Sequence, residues 1–251
     1  MAGRSPTRGS QSSRSRARIL AAADSRAVSN ELLAVLRRGG FGPRALGAFV
    51  ADATMRSWRE AAARPRAVVE TTAVHAAIGA LAGRRGLAWV GASWLMAVTH
   101  FGMLESRRDL GAANLLTVAR AALPAAGHRL GTPATVAIAL ATDFADGKIA
   151  RGTGAVTRFG AQGDFLADTA LWTWFVVRHE RSTAWRIATF AAWAAPVIGV
   201  TAVSVARGGM IDLPRSRWFR PAAAVEVLIG ARVLWRWWAG RRAPERPLRK
   251  G

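Results

Sequence analysis

Four aspartates, Asp143, Asp146, Asp164 and Asp168, lie close together in the sequence between two long apolar stretches. The first two are three residues apart and the last two are four residues apart, so each pair lies on one face of an α-helix. A short segment, 152–159, joins the two helices, which makes them antiparallel neighbours. We therefore expect all four carboxylates to meet at one end of this helix pair.

Such a cluster of acids has a recognised chemical use. Four carboxylates in one pocket repel one another, and burying them without compensation is costly. Divalent cations remove that cost, and oxygen ligands favour Mg²⁺ or Mn²⁺. Two ions held by shared carboxylates suit phosphoryl transfer, because they neutralise the attacking and leaving oxygens. The chain has no cysteine, and its four histidines are scattered, so a zinc site is not indicated.

Small and basic residues accompany the acids on the same helix faces. Gly147 and Gly160 have no side chain, so a ligand could approach the backbone closely there. Gly160 would equally suit close packing of the two helices. Arg151, one turn beyond Gly147, is placed to hold a phosphate, or simply to reach towards the membrane interface.

The chain as a whole is both apolar and basic. Hydrophobic residues make up 51% of it, it contains 11 tryptophans, and its formal charge is +21, almost entirely from arginine. The arginines concentrate in the N-terminal arm and in short loops between apolar runs, which is the positive-inside pattern of a membrane protein. Tryptophans near the ends of those runs are typical of interfacial aromatic belts. We therefore expect an integral membrane protein and no nucleic-acid partner.

The sequence pattern divides the chain into four parts. Residues 1–27 predict a disordered basic tail, residues 28–66 amphipathic helices at the membrane surface, residues 67–240 a transmembrane domain, and residues 241–251 a second basic tail. A packed cytosolic helix pair would explain the second part equally well. The predicted fold class is all-α, a polytopic transmembrane bundle of six or seven helices with interfacial helices before it. The apolar runs that predict the bundle are 67–83, 87–104, 110–127, 131–150, 161–178, 184–206 and 221–239.

The basic segments also predict an orientation. They place the N-terminal arm and the acids on the cytoplasmic side of a membrane, which we expect to be a bacterial plasma membrane. A seventh crossing would leave the basic C-terminal tail on the other side. A last helix that lies at the interface would remove that conflict, and the sequence leaves both versions open.

The spacing of the acids and their neighbours resembles the signature of the CDP-alcohol phosphatidyltransferase family. The chain reads Asp-x2-Asp-Gly-x2-Ala-Arg-x8-Gly-x3-Asp-x3-Asp from Asp143 to Asp168, and it matches every fixed position of that signature, including Ala150. Eight positions with fixed spacing make this match far more specific than a single pair of aspartates.

A second pattern lies upstream of the signature. Asn114, Thr117 and Arg120 form Asn-x2-Thr-x2-Arg, which resembles a pattern often found on the helix before the signature. The resemblance by motif therefore spans roughly residues 110–180. Residues 1–107 show no such resemblance, and their additional apolar hairpin departs from the usual six-helix layout of the family.

The resemblance implies a role for each matched residue. Asp143, Asp146 and Asp164 would ligate two divalent ions, and Asp168 would contact one ion and act as the general base. For Asn114, Thr117 and Arg120 the alternative to substrate binding is polar packing between helices. The residues that would bind the substrates are Gly147, Ala150, Arg151, Thr157, Gly160, Asn114, Thr117 and Arg120.

The implied reaction is transfer of a phosphatidyl group from CDP-diacylglycerol to an alcohol, with release of CMP, in phospholipid biosynthesis. The family resemblance also suggests a homodimer. The sequence does not identify the acceptor alcohol. A basic loop with Arg215, Arg217 and Arg220 could bind an acceptor phosphate, or it could simply reflect membrane topology.

Two other classes of protein remain open at this point. A prenyltransferase of the UbiA type also uses acid-rich motifs and Mg²⁺ in a membrane helix bundle, but its two motifs usually lie on well-separated helices. A non-catalytic membrane scaffold with inherited acids is the other alternative, although the presence of all four aspartates argues against it.

Overall fold

The computed structural model describes residues 16–20, 24–154, 156–211 and 220–242. Within these residues the chain is helical and contains no strand, which confirms the all-α prediction at the level of fold class.

The helices follow one another with short connections, and their bounds stay close to the apolar runs of the sequence. Three short 3-10 segments lie between the α-helices, at Arg84–Gly86, Phe101–Leu104 and Leu123–Ala125. The α-helices are α1 Ser25–Arg38, α2 Pro43–Ala62, α3 Pro65–Ala82, α4 Leu87–Thr99, α5 Gly111–Ala122, α6 Gly127–Leu130, α7 Thr132–Gly152, α8 Arg158–His179, α9 Thr183–Arg207 and α10 Arg220–Arg242.

Local sequence explains where several of these helices begin and end. The side chains of Asp24, Thr157 and Ser182 each accept a backbone N–H from the first turn of α1, α8 and α9, as helix caps do. Pro65 opens α3, where its missing N–H costs nothing. Gly208 ends α9 with a φ of 74°, a left-handed conformation that favours glycine.

The central helix is α5, which packs along α7 and α8 and also contacts α3 and α4. Two apolar clusters flank it. One cluster contains residues of α7, α8, α9 and α10 and includes Leu171 and Phe175. The other contains residues of α2, α3, α4, α5 and α8 and includes Phe101 and Leu104. The polar residues of both motifs therefore lie on α5, α7 and α8, between two apolar cores.

Among the described residues one helix, α9, is long and apolar enough to cross a membrane. The expected six or seven spans are therefore not confirmed by length and composition. The helices α4 and α5 have 13 and 12 residues, short of the roughly 20 that a bilayer core requires. In α7 the charged residues Asp143, Asp146, Lys148 and Arg151 lower the hydropathy.

The helix α2, in the segment predicted to be amphipathic, turns its charged stripe towards the protein. Asp52 is buried and pairs with Arg16 at 2.6 Å. About two turns further on, Glu60 forms ion pairs with Arg56 and Arg64. These pairs satisfy the charged side of α2 within the protein and leave its other side facing outwards.

Several predicted features fall outside the description. Residues 1–15, 21–23 and 243–251, which hold most of the two predicted tails, lie outside the described residues. So do Arg215 and Arg217 of the basic loop, and so does the side chain of Arg220. Within the first segment, residues 16–20 are helical and Ile19 is fully buried.

At the far end of α8, away from the aspartates, Glu180 connects three helices. It accepts the Ser182 N–H at 3.0 Å and pairs with Arg232 and Arg236 of α10. Burial opposes ionisation, but these hydrogen bonds and charges lower the pKa of Glu180 to about 2. The charged carboxylate thus ties the end of α8 and the start of α9 to α10.

Candidate active site

The structure brings acids from α7 and α8 together. Asp143, Asp164 and Asp168 each offer a carboxylate oxygen, and the three oxygens lie within 4.8 Å of one another. Asp168 is buried, whereas Asp143 is exposed and Asp164 half-buried. The cluster therefore has a closed side within the bundle and an open side that a ligand can reach.

Asp146 has a different environment from the other three aspartates. Its side chain is buried, with 6% of the residue exposed. One oxygen, Oδ2, accepts the Thr117 hydroxyl at 3.0 Å and Arg120 Nη1 at 2.9 Å. The structure thus places Asp146 at the inner wall of the cluster, held by two residues of α5.

Arg120 lies at the centre of the acids, with only 1% of the residue exposed. Its Nη2 donates to Asp164 and lies 3.5 Å from Asp143. Its Nε lies 2.8 Å from Asp168 Oδ1, without the angle of a hydrogen bond. Four carboxylates against one guanidinium leave three formal negative charges at this point of the bundle.

The donor set fits divalent cations. All the donors are anionic oxygens, the kind of ligand that Mg²⁺ and Mn²⁺ prefer. The carboxylate oxygens of Asp143, Asp164 and Asp168 lie within 4.8 Å of one another, so these three residues are grouped closely enough that they would hold such an ion with small side-chain adjustments. The remaining negative charge also calls for cations. The predicted metal role of Asp146 stays a prediction.

Three of the predicted substrate residues connect α5 to α8. Asn114 Nδ2 donates to the Leu110 carbonyl at 2.7 Å and to Thr157 Oγ1 at 3.3 Å. Thr157 in turn caps α8 by accepting the Gly160 N–H at 2.9 Å. The polar packing that the sequence analysis left open for Asn114 is therefore present, and contact of these residues with substrate stays a prediction.

Three further predicted substrate residues, Gly147, Ala150 and Arg151, lie on α7. Arg151 is exposed and folds back across Gly147, where a Cβ would lie 3.2 Å from its Nη1. Ala150 is half-buried on the same helix. An exposed guanidinium one turn from the acids is well placed for a phosphate group.

A cavity beside the site was not predicted from the sequence. It has a volume of about 230 Å³ and lies between the start of α5 and the end of α7, with Arg107, Leu110, Gly111, Ile149 and Thr153 among its lining residues. Apart from Arg107 these residues are apolar or small, so their types carried no signal of a site. Only the packing of α5 against α7 creates the space.

We expect Gly160→Ala to separate a packing role from a ligand role. A Cβ there would lie 2.6 Å from Asn114 Oδ1, whereas at Gly163 it would meet Thr117 Cγ2 at 3.5 Å. Gly160→Ala should therefore lower the free energy of unfolding by about 1–3 kcal/mol, with Gly163→Ala as the tolerated control. Thermal melting measures both. Unchanged melting of Gly160→Ala together with a raised KM for the CDP-linked substrate that the sequence predicts would instead indicate ligand approach.

A match to a protein-family model agrees with this geometry. The family model for CDP-alcohol phosphatidyltransferase matches residues 110–241, which include α5, α7 and α8. Comparisons with curated proteins and with solved structures gave no significant match. Members of the matched family use a divalent metal, in keeping with the oxygen donors described above. The chain therefore belongs to the CDP-alcohol phosphatidyltransferase family, whose members transfer a phosphatidyl group from a CDP-alcohol to an alcohol.

Proposed function

We propose that this protein is an integral membrane enzyme of phospholipid biosynthesis that transfers a phosphatidyl group from CDP-diacylglycerol to an alcohol and releases CMP. The observation that carries the proposal is the meeting of Asp143, Asp164 and Asp168 within 4.8 Å, on the two helices that hold the family signature. The aspartates of consecutive helices converge here, unlike the separated motifs of a prenyltransferase of the UbiA type.

In the proposed reaction, the residues of the cluster would have different roles. Two divalent ions, Mg²⁺ or Mn²⁺, held by the four aspartates would neutralise charge on the pyrophosphate. Asp168 would take the proton of the acceptor hydroxyl. As the acceptor oxygen forms its bond to the lipid-side phosphorus, the bond from that phosphorus to the CMP oxygen breaks. The exposed guanidinium of Arg151 would pair with the phosphate of the departing CMP.

We place the nucleotide on the open side of the cluster, against α7. Gly147 and Ala150 carry little or no side chain, and the guanidinium of Arg151, which lies across Gly147, supplies a cation there. The α5–α8 wall, built from Asn114 and Thr157, would close the other side. This placement keeps the pyrophosphate beside the carboxylates and leaves the acceptor to enter from water.

The distribution of exposed apolar residues supports a bilayer around the protein. On α9, Ile187 and Ile198 are 63% and 65% exposed. On α2, Leu46, Val50 and Trp58 are 48%, 58% and 69% exposed. Large exposed apolar side chains on several helices favour a surface that contacts lipid or a partner rather than water. We therefore propose a bundle of six or seven membrane helices preceded by interfacial helices, with the acids at the cytoplasmic end and a homodimer as the assembly.

The proposed function is tested by the release of radiolabelled CMP from CDP-diacylglycerol. The purified full chain is assayed in mixed micelles with Mg²⁺ or Mn²⁺ and one alcohol at a time: glycerol 3-phosphate, inositol phosphate or serine. We expect one alcohol to stimulate CMP release and to appear in the lipid product. Absence of CMP release with every alcohol, while the protein remains folded, would contradict the proposal.

A further inference from the structure

The guanidinium of Arg120 touches every acid of the cluster, and this contact goes beyond the substrate role that the sequence suggests. Its Nη1 lies 2.9 Å from Asp146, its Nε lies 2.8 Å from Asp168, and its Nη2 contacts both Asp164 and Asp143. A side chain in this position meets the ligand oxygens rather than the open side of the pocket. Arg120 is thus placed to act on metal binding.

We propose that Arg120 is the internal counter-ion of the acid cluster, and that it competes with the divalent cations for Asp164 and Asp168 and so sets the affinity of the site for metal. Arg120 is then a positioning residue that acts through the metal ligands. This inference rests on the proposed metal-dependent function, and the test below separates the failure of one from the failure of the other.

One edge of the guanidinium is fixed on the inner wall of the site. Asp146 is buried, and the same oxygen that accepts Arg120 Nη1 also accepts the Thr117 hydroxyl. Thr117 and Arg120 both lie on α5, so this edge joins α5 to α7. A buried charge-assisted contact of this kind is expensive to break, and we expect it to persist when metal binds.

The other edge faces the carboxylates that a metal would use. Arg120 Nη2 approaches Oδ1 of both Asp143 and Asp164, two of the three grouped acids. Arg120 contacts Asp146 through Nη1, but Asp164 and Asp168 through Nη2 and Nε. It can therefore release Asp164 and Asp168 while its Asp146 contact stays. The guanidinium and the cations therefore share ligands, and each weakens the hold of the other.

The direction in which the loss of Arg120 changes the affinity for cations distinguishes a counter-ion from a purely structural residue. A fixed positive charge a few ångströms from a cation site repels the cation, and more strongly where water is excluded. Removing that charge should strengthen cation binding. If Arg120 only held the helices together, its removal would disorder the ligands and weaken cation binding.

The experiment is a Mn²⁺ titration of the full chain in detergent, in which electron paramagnetic resonance reports free Mn²⁺. We expect Arg120→Met, which keeps the length and removes the charge, to bind Mn²⁺ at least about tenfold more tightly than the wild type. Arg120→Lys, which keeps the charge, should bind with an affinity close to that of the wild type. In EDTA we expect Arg120→Met to melt below the wild type, and to gain more than the wild type when Mn²⁺ is added.

Each of the other possible results also supports or contradicts the inference or the proposed function. An Arg120→Met protein that is folded only with Mn²⁺ supports the inference, since the cation then replaces the lost charge. Equal or weaker Mn²⁺ binding by Arg120→Met, or a protein unfolded both with and without Mn²⁺, overturns it. A wild type that binds no Mn²⁺, or an Asp164→Asn protein that binds it as well as the wild type, would instead count against the proposed function.

Discussion

Asp164→Asn is expected to lower the rate of phosphatidyl transfer by roughly a thousandfold or more. Asp164 belongs to the three acids within 4.8 Å and also pairs with Arg120, so the change removes a negative charge from the centre of the proposed metal site. Charge stabilisation by a bound metal amounts to several kcal/mol, and each 1.36 kcal/mol is a factor of about ten in rate. CMP release measures the rate, and Mn²⁺ titration measures the affinity.

Asp24→Asn is the matched control for this prediction. It makes the same chemical change at an exposed acid that caps α1, and asparagine caps helices about as well as aspartate. We expect activity and Mn²⁺ affinity close to those of the wild type. A fully active Asp164→Asn protein would show that the three acids do not hold the catalytic metal.

Asp168→Asn should lower kcat by about 10²–10⁴-fold, the usual contribution of general acid–base catalysis. Asparagine keeps an oxygen that can face a cation, but it cannot take a proton from the acceptor hydroxyl. We therefore expect kcat to fall far more than the KM for CDP-diacylglycerol rises. Steady-state kinetics at saturating Mn²⁺ measures both effects.

Asp143→Asn provides the contrast that separates a base from a ligand. Asp143 is the most exposed of the three grouped acids, and its loss should weaken metal binding without removing the base. Excess Mn²⁺ should therefore restore part of the activity of Asp143→Asn and none of the activity of Asp168→Asn. Full activity of Asp168→Asn would refute the assignment of the base.

The helices themselves could be predicted well from the sequence. The run 131–150 corresponds to α7, Thr132–Gly152, and the run 161–178 to α8, Arg158–His179. Apolar runs that end at glycine, proline and capping residues determine such bounds locally. The number of membrane spans could not be predicted in the same way. Hydropathy is an average over a segment, and it does not say whether each face of the helix contacts lipid, water or other helices.

The inward charges of α2 show why burial was harder to predict. Its sequence has a charged stripe and an apolar stripe, and periodicity alone does not say which one meets the protein. The ion pair of the buried Asp52 with the more exposed Arg16 turns the charged stripe inwards. This contact joins residues far apart in the chain, so no local pattern contains it.

The sequence by itself determined the four aspartates, their helical faces, and the family to which their spacing belongs. These features depend on distances of a few residues along one or two helices, and helix geometry fixes such distances. Only the tertiary structure decided that Arg120 of α5 lies among the acids, that Asp146 is held on the inner wall, and that a cavity opens near Arg107. The physical reason is that these contacts depend on how α5 packs against α7 and α8, and the apolar clusters on either side set that packing.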